Sequence, residues 1–553
     1  MPGITVSKTE FLKCLQRQWN DTEVDNVLFD FGLELDEIDE IEGTYKIDVP
    51  ANRYDLLCLR GLVNGVGAYI GQSSQKSLEI KEAKDLVGGE RPVSRPFVKM
   101  VMLKNIDLRN GGYQDLIDFQ DKLHQGLGQN RVLMAIGTHD LDKTVGPFKY
   151  TAWPESEVKF VPLNQTKEYT RPELDDLYKS DPKLKAYLGL ARENGQVPVI
   201  LDGQDRILSL PPLINSDFSK ISEQTTNMLI EITGTDKPRV CTAMYLLLHH
   251  FSGPGSEIVE IPGGVEEVLR TPLTLTQSEI KTELHTELSA EVAAKALRQM
   301  LHQVEIVPGE SEWSLVVTPS RLRPDILHTC DLIEDIAIAY GYNRIERVLS
   351  TEYTIGKELP INKLARSLRQ ECAYAGFTEV FTMALHSKHD MHGFGLDKHI
   401  QVKNPKSTEC EVLRQSLAPS VLKCIFSNQH HHLPICLFEV SDVGLFTADD
   451  VGVRNDKRMC MASAGSSSRL EDLQEAFEVV MRRMGFVVQY VPEDLPQFIE
   501  GRSCAIYFNG QNIGGLGIIK PAISLHHKIP HVCSLVEISL TMLSSLIPAT
   551  YPN

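Results

Sequence analysis

The stretch CAIYFNGQNIGGLGII (504–519) decides the class of fold. Two strand-like runs meet at Asn509-Gly510, and Asn-Gly between such runs is the strongest short-range signal for a two-residue antiparallel hairpin. Working outward, EVFTMALHS (379–387), PICLFEVSDVGLF (434–446), RMCMASAG (458–465) and VCSLVEISL (532–540) read as further strands, and LPINKLARSLRQECAYAG (359–376) reads as a helix. Many strands joined by short turns, with a few long helices, predict an antiparallel α+β sheet and exclude a Rossmann-type parallel one. Toward the N-terminus, 268–350 reads as strand, helix (289–301), strand (313–318) and helix (330–340). Ser289 is a predicted N-cap and Gly341 a predicted terminator. The Pro/Gly cluster SGPGSEIVEIPGG (252–264) marks a boundary before it. Strands are predicted over 97–108, 131–142 and 228–234, helices over 113–127 and 236–252, and a hairpin over 197–208. Residues 74–95 read as a linker. The predicted organisation is four domains: 1–85, 86–265, 266–350 and 351–553.

The 553 residues are ample for several buried cores, and 42% hydrophobic with 24% charged is ordinary globular usage. The net charge of −18 excludes a histone-like or polybasic membrane-surface protein, although a local basic patch can still meet nucleic acid. Eleven cysteines are scattered without a CxxC pair, which fits reduced thiols and no zinc site. No apolar run approaches the length of a membrane helix, and the N-terminus lacks a signal core. A soluble cytoplasmic protein without a membrane partner is expected.

Two constellations can carry chemistry. In RPDILHTCDLIEDIAIAYGY (323–342), Asp331, Glu334 and Asp335 stand at i, i+3 and i+4, with Asp325 just upstream. Carboxylates so close repel one another unless a cation sits among them, and Mg²⁺ takes such oxygens with water. The competing reading is a solvated acidic first turn favoured by the helix dipole. In AIGTHDLD (135–142), PPLINSD (211–217) and IEITGTD (230–236), polar residues gather at strand ends, among them His139, Asn215, Glu231 and Asp236. They can line a polar pocket that holds a water for hydrolysis, or simply cap turns. His430, His431 and His432 read as a loop. GxxxxGK(S/T), HExxH and GxSxG are all absent.

Taken in order, FGLELDEI (31–38), YKIDVPANRYDLLCLRGL (45–62), FQDKLHQ (119–125), AIGTHDLD (135–142), LPPLINSDFSKI (210–221), IEITGTD (230–236), the 323–345 segment, GFTEVFTMALHS (376–387), NPKSTECEVLRQSLAPSVL (404–422) and LFEVSDV (437–443) resemble the β-subunit family of eukaryotic or archaeal cytosolic phenylalanyl-tRNA synthetases. The resemblance covers essentially the whole chain. It implies an N-terminal domain, an editing domain at 86–265 and a small metal-associated α/β domain at 266–350. The domain at 351–553 would be similar to a class II synthetase catalytic domain but silent. It implies an α2β2 heterotetramer in which the α subunit binds phenylalanine, ATP and the tRNA(Phe) end. The β subunit would contribute tRNA-binding surface, structure and hydrolysis of mischarged tyrosyl-tRNA. Asp325, Asp331, Glu334 and Asp335 match the family's Mg²⁺ ligands one by one. Glu231, Asp236, His139 and Asn215 fall in segments lining the editing pocket. The alternative is a non-catalytic assembly scaffold with an inactive pocket. Arg366/Arg369 and Arg482/Arg483 are candidate tRNA contacts or solvated helix faces. Arg414 is the only arginine in a suitable upstream strand region, and no GxGxxxR follows it.

Overall fold

In the computed structural model Asn509 and Gly510 both take positive φ, 50° and 78°, and Phe508 pairs with Gln511 across them. The structure describes residues 3–547 except 73–76, 85–86, 191, 193, 267–269, 351, 353 and 397. The chain divides into two compact units, Met1–Ser350 and Thr351–Asn553.

The hairpin sits in the seven-stranded sheet of the second unit. Its order is Thr378–Glu379, Ile435–Phe446, Val453–Gly465, Val532–Ser539, Gln511–Ile519, Phe498–Phe508 and Gln489–Pro492. All neighbours are antiparallel except the first pair, which is parallel. Helices Pro360–Tyr374 and Leu470–Arg483 cover one face, where Leu368, Phe477 and Met481 pack with Phe438, Met461 and Val536. Helix Ala418–Ser427 covers the other through Val421 and Ile425. The strand expected over 379–387 forms only at its ends, Thr378–Glu379 and Leu385–His386. Phe381 and Met383 between them are exposed, so no sheet face holds that stretch extended. Arg366, Arg369, Arg482 and Arg483 each pair with a glutamate.

In the first unit a five-stranded sheet runs Ile80–Glu82, Glu257–Ile261, Phe97–Lys104, Asn227–Gly234 and Met134–Asp140. The expected linker 74–95 therefore supplies an edge strand, parallel to Glu257–Ile261. A second sheet runs Ile214–Asn215, Ile207–Leu210, Gln196–Leu201 and Lys149–Pro154. Val98, Met100, Leu229 and Ile261 of the first sheet pack with Tyr150, Ile200 and Leu208 of the second. Helices Gly112–Gln125 and Lys237–Phe251 join the opposite face, where one core continues into the three-stranded N-terminal sheet (Gly3–Ser7, Thr44–Asp48, Glu34–Asp39) and its helices.

A further three-stranded sheet, Leu273–Thr276, Ser314–Thr318 and Gln303–Val307, carries helices Gln277–Leu284, Ala290–Gln299 and Thr329–Tyr340. Sequence reading missed Gln277–Leu284 and Gln303–Val307. The first buries only Ile280; the second alternates polar and apolar over Gln303-Val304-Glu305-Ile306 but is five residues long with none fully buried, too short a signal to stand out. Ser289 caps its helix by accepting the Val292 N–H, and Gly341 ends Thr329–Tyr340 with φ 98°.

Candidate functional site

Glu231 lies in the middle of the strand Asn227–Gly234, in register with Met100 on one side and Gly137 on the other. Alternation along the strand turns its side chain into the space between the two sheets. The Ser209 hydroxyl, on the facing sheet, donates to Glu231 Oε1 at 2.8 Å. The side chain fits because residue 137 is glycine: a Cβ there would stand 2.1 Å from Glu231 Oε1. His139 is on the same face, fully buried, with Nδ1 2.8 Å from the Ser219 hydroxyl and Nε2 4.0 Å from Glu231 Oε1. That last gap is too long for a hydrogen bond.

The cluster is polar, buried and incompletely satisfied. Glu231 Oε2, His139 Nε2 and Thr233 Oγ1 are buried without a hydrogen-bond partner among the described residues. Each such atom costs about 1–3 kcal/mol, more for a charged group. A group entering between the sheets with both a donor and an acceptor can satisfy them.

The other two expected pocket residues stand elsewhere. Asp236 caps helix Lys237–Phe251, accepting the Arg239 N–H at 3.1 Å and pairing with the Arg239 guanidinium at 3.4 Å. Asn215 ends its sheet and donates to the Thr138 carbonyl at 3.4 Å, where it borders a cavity of about 860 Å³. Sequence reading missed Ser209, Ser219 and Gly137. Gly137 and Ser219 fall within quoted segments but carry no chemistry of their own there; sheet register brings Gly137 to Glu231, Ser209 reaches it from the facing sheet, and a turn brings Ser219 to His139.

The four acidic residues of 323–342 do not converge. Asp335 is buried and receives Arg323 at 2.9 and 3.1 Å and His302 Nε2 at 2.7 Å. Asp325 takes two more donors of the same guanidinium, at 2.8 and 3.0 Å, and the Asn52 amide at 3.1 Å. Asp331 closes a capping box, its Oδ2 accepting the N–H groups of Leu327 and His328 at 2.8 Å each. Glu334 is exposed. Among the described residues no three acidic, histidine or cysteine side chains are arranged to hold a metal ion. Burial pushes the Asp335 carboxyl up, but Arg323 and His302 more than offset it and hold it below the usual carboxylate range.

In the second unit Arg414 is buried and committed. It donates to Glu439 and Thr382 at 2.9 Å and to the Asp442 carbonyl at 3.0 Å. Leu495 and Phe498 press on the sheet where Gly515 and Gly517 leave room: a Cβ on either would meet them at 2.4 and 2.6 Å.

Comparison with known proteins places the chain in one family. Four family models match in order: the Phe-tRNA synthetase beta subunit B1 domain over 1–72, the B3/4 domain over 101–246, the tRNA synthetase B5 domain over 273–342, and the phenylalanyl tRNA synthetase beta chain CLM domain over 345–540. A probable phenylalanine–tRNA ligase beta subunit of Encephalitozoon cuniculi is 37% identical, covering 99% of this chain and 100% of its own. The Homo sapiens phenylalanine–tRNA ligase beta subunit is 35% identical over 98% and 99%. An N-terminal fragment of the Pyrococcus horikoshii phenylalanyl-tRNA synthetase beta subunit superposes with a TM-score of 0.55 at 25% identity, covering 61% of this chain and 99% of the fragment. No helix among the described residues is long and apolar enough to cross a membrane. The chain belongs to the family of phenylalanine–tRNA ligase β subunits, and is thus a subunit of an aminoacyl-tRNA synthetase.

Proposed function

We propose that the pocket around Glu231 is a hydrolytic editing site that releases tyrosine from mischarged tRNA, within a cytoplasmic α2β2 ligase whose α subunits bind phenylalanine, ATP and the accepting end of tRNA(Phe). The observation that carries this is the free Glu231 Oε2 beside the unpartnered His139 Nε2 and Thr233 Oγ1. Tyrosine differs from phenylalanine by one hydroxyl, and an apolar synthetic pocket rejects an added hydroxyl only ~10²-fold in comparable cases. Glu231 accepts that hydroxyl's hydrogen. Phenylalanine would leave Oε2 of that carboxylate unpaired, which penalises the correct product. His139, held by Ser219, is the base or orienting group nearest the carboxylate. Asn215 positions the ester from the sheet edge, and Asp236 acts through the helix it caps. On this reading 86–265 is the editing domain, 266–350 the small metal-associated one, and 351–553 the silent synthetase-like one.

Deacylation of tyrosyl-tRNA by the assembled ligase tests the assignment. Absence of deacylation would favour the scaffold reading. Gly137→Ala is expected to abolish most of it, because the new Cβ must displace the Glu231 carboxylate; single-turnover deacylation checks this, with unchanged phenylalanylation as the folding control.

The four-residue Mg²⁺ set does not fit the arrangement of this chain, since Arg323 already lies between Asp325 and Asp335. The donors left for an ion are Asp331 Oδ1, which takes only the weak Cys330 S–H at 3.7 Å, and Glu334, one turn on. Mg²⁺ held by two carboxylates and water is an ordinary arrangement, and we assign any ion bound here to that pair.

The chain without its partner is expected to show no phenylalanine-dependent pyrophosphate exchange. Class II activation needs free arginines on the triphosphate. Arg414 is neutralised by Glu439, and Leu495 and Phe498 fill the space over Gly515 and Gly517. Exchange above background by the purified chain would overturn this.

A further inference from the structure

We propose that the cavity bordered by Asn215 binds the terminal nucleobase of the aminoacylated RNA 3′ end; this rests on the editing reading of the Glu231 pocket. The cavity measures about 860 Å³, within the range of small-ligand sites. Six carboxamides line it: Gln120, Asn164 and Asn215, each with one end engaged by Ile136, Lys220 or Thr138, and Gln125, Asn130 and Gln165. Carboxamides offer a donor and an acceptor side by side, the pairing that reads base edges in single-stranded RNA. Tyr187, with Arg131 over one face of its ring, leaves the other face for stacking. The Tyr178 hydroxyl and His124 Nδ1, both in the wall, are buried without a partner among the described residues. His124 Nε2 accepts the Ile136 N–H at 2.8 Å, so its proton resides on Nδ1 as an unused donor. Burial keeps that ring neutral by lowering its pKa well below the usual value.

The charges argue against a phosphate or a free nucleotide as occupant. Arg131 and Lys183 are balanced by Asp121 and Asp181. Arg131 Nη1 donates to the carbonyls of Pro212 and Leu213, at 3.2 and 3.1 Å, and the guanidinium lies over the Tyr187 ring at 4.9 Å, with Nε buried and without a partner among the described residues. A neutral base fits this wall better than a triphosphate. Position supports the same occupant. Ile136 lines the cavity, while Gly137 and His139 on the same strand face Glu231, and Asn215 bridges to the Thr138 carbonyl between them. A tyrosyl ester with its side chain at Glu231 must leave its nucleoside outside that pocket, and this cavity lies along the adjoining sheet edges.

The test is photocrosslinking of the assembled ligase with the trinucleotide CCA carrying a terminal azido-adenosine, followed by peptide mapping. Adducts are expected within 120–136 or 163–187, chased by unmodified CCA and not by ATP. Tyr187→Ala should weaken them about tenfold, in line with the loss of one stacking partner. Gln165→Ala, on a less packed residue, should raise KM for tyrosyl-tRNA deacylation with kcat unchanged. Glu231→Ala should leave the adducts in place while removing deacylation. Persistent adducts with Glu231→Ala fully active would sink the editing reading of the Glu231 pocket and with it the link between the two sites, whereas lost adducts with deacylation intact would overturn the nucleobase assignment alone. Adducts confined to other peptides, or chased equally by ATP, would overturn the nucleobase assignment.

Discussion

Glu231→Gln is expected to slow release of tyrosine from tyrosyl-tRNA roughly ten- to a hundredfold in kcat/KM, from the ~1.5–3 kcal/mol carried by a hydrogen bond to a charged group. Phenylalanylation by the assembled ligase should stay nearly unchanged. Glutamine keeps the shape that Gly137 accommodates and the acceptor that Ser209 uses. What it removes is the second carboxylate oxygen, the atom without a partner. A hydroxyl donated by substrate then meets an amide N–H2 group instead of a lone pair. Glu231→Ala removes both oxygens and also strands the Ser209 hydroxyl, so its loss should be at least as large. Equal loss of deacylation and phenylalanylation would indicate damage to the fold. Unaltered deacylation in both variants would place the editing site away from Glu231.

Local chemistry was legible wherever it acts over a few residues. Asn509-Gly510 dictated its turn, Ser289 and Gly341 their helix ends, and 430–432 a loop. The candidate pocket was legible only as separate strand ends. His139 and Glu231 lie ninety-two positions apart in sequence, and antiparallel register alone puts them on one face. Asp236 illustrates the limit of that reading: it adjoins the same strand yet starts the next helix, and its side chain is consumed as a cap. The acidic helix shows the opposite error. At about 100° per residue, Glu334 and Asp335 fall on either side of Asp331, some 60° and 40° away. That arc is wide enough for one flank to meet solvent and the other the interior. Asp335 is buried and Glu334 exposed for this reason, and no spacing rule reveals that Arg323 and His302 wait on the buried side.

Arg323→Met should destabilise the first unit by about 3–5 kcal/mol, because it leaves a buried carboxylate without its cation. Five donor contacts of this guanidinium end on Asp325 and Asp335, and its side chain is almost wholly enclosed. His302 cannot replace it as a hydrogen-bond anchor: its Nδ1 accepts the Ser320 N–H at 3.1 Å, so only Nε2 is left to donate to Asp335. The effect has a pH signature. In the wild type the Asp335 pKa is depressed, so its stabilisation is complete above the unfolded carboxyl value of about 3.9 and is lost as pH falls through the folded value. In Arg323→Met, burial without a cation raises that pKa, so the folded variant holds a proton that the unfolded chain releases, and its stability falls as pH rises. The gap between the two proteins should therefore widen from acid toward neutral pH. Denaturant titrations at several pH values measure it directly, and a gap independent of pH would mean that Arg323 acts by packing alone. Adding Asp335→Leu to Arg323→Met should restore much of the loss, since an apolar pair of similar volume replaces a buried ion pair at little cost. A double variant as unstable as the single one would show that the pair is needed for its hydrogen-bond geometry with His302 and Asn52, and not merely for neutrality.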